Sequence, residues 1–381
     1  MKYQVMRKLF VGILAVAMGV SAFAQGGNTR FGGNDGDYRS LWELVGGQQK
    51  KNDAFNLYLN FSGAFQEKIN PFASSFQAKQ LRLEIKGSFG KHLSYRFRHQ
   101  LNRAWWTEGQ EDNFAKATDI IMLGWKFNDK WSVALGKMCQ IWGGFEFDEN
   151  PMFIYQYSDF LANMDIFQAG AMVSWHPVPS QEIAVMVSNS FTSQPQFGKY
   201  TRSDHPLTYI LNWNGSFFDG LLCTRWSVGA QTMTQGRFSY IATLGQKLSF
   251  RRFQIYVDYM GSWDSLDRLG IVRNDLGLQE NVRYHSVIGK ASWQFAPKWN
   301  LMGKGMYELA SVAQMPQLAL YRQSIGWVGS VEFYPWDQQD LRFFLAYIGR
   351  NYDFTKASGI AVRNGTEHRI ELGFMFRIKA Y

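Results

Sequence analysis

The sequence predicts an all-β chain: a transmembrane antiparallel β-barrel of about 16 strands over residues 53–381, with the third long loop folded into the lumen. Three observations predict it. The N-terminus reads as an export signal. From Ala54 onward, apolar and polar residues alternate with period 2 in segments of about ten residues, the pattern of transmembrane strands. The links between these segments alternate short and long, as even-stranded barrels require.

The N-terminal segment comes first. Lys2, Arg7 and Lys8 precede an apolar run from Leu9 to Val20, and Ala22-Phe23-Ala24 puts small residues at the two positions a signal peptidase reads. Residues 1–24 are therefore expected to be a cleaved signal peptide. The run is too short to cross about 30 Å of hydrocarbon as a helix. Residues 25–52 are expected to form a periplasmic lead-in or small plug, with a short helix or turn over Tyr38–Val45.

Strands are expected near 54–66, 78–89, 92–102, 118–128, 130–140, 166–176, 181–192, 207–216, 221–232, 238–249, 251–262, 283–296, 298–309, 321–334, 340–351 and 366–379. Short links follow the even-numbered strands, as at Gly90-Lys91, Asn128-Asp129-Lys130 and Ala296-Pro297. Long links mostly follow the odd ones: 67–77, 103–117, 141–165, 193–206, 263–282, 310–320 and 352–365. Residues 233–237 are the exception. Aromatic residues are 17 % of the chain, an excess that suits lipid contact and interfacial girdles. Phe127 and Trp131, like Phe295 and Trp299, place an aromatic pair across a tight turn, where an interface belt would lie.

Period 2 assigns the faces. In the last strand Ile370, Leu372, Phe374, Phe376 and Ile378 share one side, which must face lipid. Arg369, Glu371, Arg377 and Lys379 share the other. The same phasing places Arg82, Lys86, Arg96, Arg98, Lys126, Arg225, Lys290, Lys304, Arg342, Arg369 and Arg377 on the wet face, with Lys247, Arg322 and Arg350. Glu84, Glu182, Asp258, Glu308, Glu332 and Glu371 oppose them. Rings of Lys and Arg along a pore favour anions. These cations can also pair with the acids and merely fill the wall.

One segment departs from the basic balance. The formal net charge is +9, yet no Lys or Arg lies between Lys137 and Lys199. The third long link holds Glu146, Asp148, Glu149, Asp159 and Asp165 together with Phe145, Phe147, Phe153, Tyr155, Tyr157 and Phe160. A solvated loop rarely needs so many aromatics. The link is expected to enter the lumen and constrict it, its acids facing wall cations across a transverse field. The alternative is a surface loop packed on neighbouring subunits or lipopolysaccharide. Its acids oppose simple anion preference, so selectivity stays open at this point.

Other chemistries lack support in the sequence. Cys139 and Cys223 are too few for a disulfide framework, and their phases disagree. Six scattered His form no ligand-spaced cluster, so neither metal nor cofactor is expected. No nucleophile, phosphate-loop or dinucleotide motif stands in a credible context, and Ser203-Asp204-His205 are mere neighbours on a loop. Export argues against nucleic acid as a partner.

Several segments carry a family resemblance: Phe55-Asn-Leu-Tyr-Leu-Asn-Phe61, Gln80-Leu-Arg-Leu-Glu-Ile-Lys86, and Leu135-Gly-Lys-Met-Cys-Gln-Ile-Trp-Gly-Gly-Phe-Glu146. With the signal peptide, they resemble the phosphate-selective porin O and P family. Gln25 after the cleavage site looks like the style of a Bacteroidetes outer-membrane member. The resemblance implies a homotrimeric outer-membrane porin, not an enzyme: a passive diffusion channel for small hydrophilic or anionic solutes, surrounded by lipid and lipopolysaccharide. The alternative is a closed structural or adhesin-type barrel. The family's phosphate-specific members bind the anion with lumen arginines and a central lysine. Arg82, Lys86, Arg96 and Arg98 match general wall positions. No residue here matches the central lysine, and the cation-free third loop departs from a phosphate-specific pattern.

Overall fold

The structure, a computed structural model, describes residues 38–46, 53–104, 111–193, 197–359 and 364–381. The expected signal peptide and most of the expected lead-in lie outside the described residues. Among these, sixteen strands close into one antiparallel barrel in which each strand pairs with its neighbours in sequence. They are β1 (Asn56–Ile69), β2 (Phe72–Phe89), β3 (Leu93–Gln100), β4 (Thr118–Lys126), β5 (Trp131–Cys139), β6 (Phe167–Trp175), β7 (Gln181–Asn189) and β8 (Leu207–Phe217). The second half comprises β9 (Leu222–Thr234), β10 (Arg237–Phe250), β11 (Phe253–Leu266), β12 (Glu280–Ala296), β13 (Trp299–Val312), β14 (Arg322–Phe333), β15 (Asp340–Phe354) and β16 (Gly365–Lys379). β1 closes on β16 in a register running from Tyr58 opposite Lys379 to Lys68 opposite Arg369. Closure leaves no sheet edge within the lipid-spanning region, where an unpaired backbone group would have no water partner.

The period-2 pattern explains why each strand sits as it does. On β15 the outward Phe343, Leu345 and Tyr347 are exposed, whereas the inward Arg342, Phe344, Ala346, Ile348 and Arg350 are buried. A one-residue slip would turn those arginines into lipid. At the short-turn end, outward aromatics pair across strands: Trp131 stacks on Trp175 at 5.9 Å and Trp299 meets Phe333 at 4.7 Å. Toward the opposite rim, Trp263, Tyr259 and His285 cluster on β11–β12, and Trp327, Tyr347 and His368 on β14–β16. Their amphipathic rings suit the two membrane–water interfaces.

Two links differ from expectation. Residues 67–77 are no long loop. β1 and β2 run on as a hairpin, Ile69 opposite Phe72, with only Asn70-Pro71 between them. The small polar run Ala73-Ser74-Ser75 hides this extension, which the outward contact of Phe65 with Phe76 at 5.1 Å supports. The link 263–282 is likewise shortened from both sides, because β11 reaches Leu266 and β12 begins at Glu280. Both cysteines are free.

A short helix, α1 (Leu41–Gly46), lies against the short-turn end. Ser40 and Glu43 form a reciprocal capping box: the Glu43 amide donates to Ser40 Oγ at 3.2 Å and the Ser40 amide to Glu43 Oε2 at 2.8 Å. The Trp42 amide donates to the Ala380 carbonyl, and the Tyr381 ring packs on Trp42 and Phe55. The C-terminal aromatic thus ties the chain's two ends together.

Candidate functional site

The link between β5 and β6 is bonded to the barrel wall along much of its length. It opens with Trp142, Gly143 and Gly144. The Gly143 amide donates to Ser227 Oγ on β9 at 2.8 Å, and the Gly144 amide to the Arg225 carbonyl at 3.0 Å. A Cβ on Gly143 would stand 2.6 Å from the Arg225 carbonyl oxygen, and Gly144 has φ +90. Only glycine lets the link lie directly on the wall with that backbone conformation.

Two short helices follow, α2 (Phe145–Asp148) and α3 (Asp159–Ala162). The free amides at a helix start need acceptors, and wall carboxylates supply them. Asp258 on β11 accepts from the Phe145 and Glu146 amides at 2.9 and 2.8 Å. Glu308 on β13 accepts from the Asp159 and Phe160 amides at 2.6 and 3.3 Å. Ser158 also caps α3 and donates its hydroxyl to Glu146 at 2.6 Å. Phe145, Phe147, Phe160 and Leu161 complete the contact by packing among Met260, Ile288 and Met306 of the wall.

Four of the five expected loop acids meet wall cations. Buried Glu146 pairs with Lys304 at 2.6 Å, Asp148 with Arg225 at 3.2 Å, Glu149 with Lys290, and Asp159 with both Arg322 and Arg350. The fifth, Asp165, accepts the Thr192 amide at 2.8 Å. Carbonyls of the link are held in the same way. Met152 accepts from Arg342 at 3.0 Å, Gln156 from Lys304 at 2.7 Å, Tyr157 from Arg350 at 2.8 Å and Tyr155 from Arg369 at 3.3 Å. The Tyr155 hydroxyl donates to Glu332 at 2.6 Å. Burial, with Glu332 beside it, pushes that phenol well above its ordinary range, and burial pushes Tyr157 up to about 12. The Tyr155 phenol thus stays a neutral donor at physiological pH.

The remaining expected wall cations have partners outside the link. Arg82 and Arg98 bracket Asp119 at 3.2 and 3.3 Å. Arg96 pairs with Glu84 at 2.8 Å, and Arg377 approaches the same carboxylate at 3.7 Å. Lys86 lies 5.1 Å from the Tyr58 ring centroid. Lys126 ends β4 and pairs with Asp129 in the turn. Sequence reading missed the buried Lys137–Asp112 pair and the capping roles of Asp258 and Glu308. Periodicity shows that an acid faces inward, but not that a backbone amide will meet it. The Gly143-Gly144 pair was the one available sign of a close backbone approach.

A cavity of about 540 Å³ opens beside this link, toward the short turns. Lys86, Arg96, Lys247, Lys290, Arg342 and Arg377 line it together with Asp148, Glu149 and Glu332, six cations against three carboxylates.

The family model for phosphate-selective porin O and P matches residues 55–378. The chain belongs to that family. As a porin it is a passive channel of the outer membrane. Solved structures share the architecture. The outer membrane channel DcaP of Acinetobacter baumannii is 9 % identical and aligns over 87 % of this chain and 99 % of its own, with a TM-score of 0.58. In-vitro folded OmpT of Vibrio cholerae in its trimer form is 11 % identical over 86 % and 100 %, with a TM-score of 0.54. An anion-selective porin from Comamonas acidovorans is 9 % identical over 85 % and 99 %, with a TM-score of 0.55. At such identities the likeness concerns the fold. A comparison with curated proteins finds no match. Among the described residues of the porin, no group of His, Cys, Asp and Glu could hold a metal ion.

Proposed function

We propose that this porin passes small hydrophilic solutes with a preference for anions, and that residues 141–165 cross its lumen and set the narrowest cross-section. The observation that carries the reading is the set of ion pairs between the link's acids and the wall. Four of the five carboxylates that oppose anion passage on sequence grounds are paired with wall cations: Glu146 with Lys304, Asp148 with Arg225, Glu149 with Lys290, and Asp159 with Arg322 and Arg350. The cavity below them keeps its excess of cations, and such an excess attracts anions into a pore. Reversal potentials in a KCl gradient across a planar bilayer test this. Chloride should permeate more readily than potassium; the opposite sign would overturn the preference. Removing residues 147–157 should raise the single-channel conductance severalfold if the link is the constriction, and unchanged conductance would reject that role.

The same reading extends to assembly and export. A homotrimer with lipopolysaccharide around its outer rim accords with the trimer form of OmpT, and crosslinking in native outer membranes should yield a three-subunit limit. Cleavage after Ala24 predicts a mature N-terminus at Gln25, which mass spectrometry of the purified porin reads directly.

A further inference from the structure

Resting on the anion-preferring reading, we infer that the 540 Å³ cavity at the short-turn end is a binding chamber for polyhydroxylated organic anions of the sugar-phosphate class, rather than a passage tuned to bare inorganic phosphate. Its volume falls within the range of small-molecule sites, roughly 300–1,000 Å³. Its walls come from both sides of the barrel: Lys86 and Arg96 on β2 and β3, Lys247 and Lys290 on β10 and β12, and Phe145, Asp148, Glu149, Asn150 and Phe153 of the link.

The lining chemistry argues for the class. Lys and Arg are donors without acceptor capacity, and an anionic group accepts from them in charge-assisted bonds. Inorganic phosphate near neutral pH keeps one or two P–OH groups for a carboxylate to accept from, fewer than the three carboxylates and four neutral polar side chains of this lining can use. Asp148 lies in the chamber with its side chain 55 % exposed, and Glu149 and Glu332 line it as well. Carboxylates accept hydrogen bonds from hydroxyl groups. Asn150, Gln254, Ser292 and Asn300 add neutral groups that both donate and accept. Cations for the phosphate and acceptors for the hydroxyls therefore share one polar chamber. The side chain of Lys247, 4.8 Å from the Phe145 ring centroid, shares this lining with Asp148 and Glu149. It places the two kinds of group within reach of one solute.

Full-length porin in planar bilayers tests the proposal. Glucose 6-phosphate, inorganic phosphate and glucose are added in turn to each side, and the half-blocking concentration of the KCl current is read. Glucose 6-phosphate should block at a concentration at least tenfold below either of the others. Lys247→Gln should raise its half-blocking concentration threefold or more. Asp148→Asn, at a carboxylate whose side chain is 55 % exposed, should weaken block by glucose 6-phosphate and strengthen block by inorganic phosphate. Equal block by glucose 6-phosphate and phosphate, equal block by glucose 6-phosphate and glucose, or a shift of both phosphates in one direction in Asp148→Asn would overturn the inference. Reversal potentials on the same channels separate the two failures. A cation-selective pore rejects the functional reading, whereas an anion-selective pore without this discrimination rejects the chamber alone.

Discussion

Buried charge is the strongest determinant at the scale of single residues. Glu146 is almost wholly enclosed, and its carboxylate accepts from Lys304, the Ser158 amide and the Ser158 hydroxyl. Removing one member of such a buried pair typically costs about 3–5 kcal/mol, because the survivor is left charged and uncompensated. Lys304→Met should therefore lower the midpoint of urea unfolding in detergent substantially, and adding Glu146→Gln should recover part of the loss. If the double variant is as unstable as the single, the pair is not what holds this point. Asp258 offers a different test, since it receives two backbone amides. Asparagine at that position accepts one and presents its own NH₂ to the other. Asp258→Asn should cost on the order of 1–3 kcal/mol, the range for a buried hydrogen-bonding group left unsatisfied, and should increase the noise of the open channel.

At the scale of elements, the link between β5 and β6 is fastened by geometry as much as by charge. Its first contact with the wall depends on Gly143, where a Cβ would meet the Arg225 carbonyl at 2.6 Å and the Ser227 amide at 2.9 Å. Both are backbone atoms of a central strand and cannot swing aside. Gly143→Ala should leave the barrel assembled while lifting the start of the link. Retained heat-modifiable migration on gels with a changed single-channel conductance is the expected result; unchanged conductance would separate the link from the narrowest point of the pore. The strands themselves follow their alternation. β13 alternates almost without interruption, outward Leu301 and Tyr307 against inward Lys304 and Glu308, and its position was legible to within a few residues. β1 and β2 were less so, because Ala73, Ser74 and Ser75 carry too little polarity contrast to mark faces.

For the whole molecule, the distribution of charge matters more than the total. The link concentrates acids where the wall concentrates Lys and Arg, and the pairs formed between them leave the cavity toward the short turns with its cationic excess. The attraction between that excess and a passing anion is screened by salt, over about 10 Å at 0.1 M and about 3 Å at 1 M. The chloride-to-potassium permeability ratio should accordingly fall between 0.1 M and 1 M KCl. A ratio independent of salt would place selectivity in short-range contacts instead.

Alternation, link length and composition determined the barrel by themselves: strand count, antiparallel order, and the face on which Arg342, Arg350, Lys304 and Glu308 stand. These properties are local, because period 2 and a tight turn are decided by residues next to one another in the chain. What tertiary structure decided is which charges meet. Glu146 and Lys304 are 158 residues apart, and Asp159 and Arg350 are 191 apart. Their contacts arise only when the barrel has closed and the link has folded onto its wall. The same holds for Asp258 and Glu308, whose partners are backbone amides that no side-chain pattern encodes. The cavity likewise exists only as the space left between the link and strands from both halves of the chain.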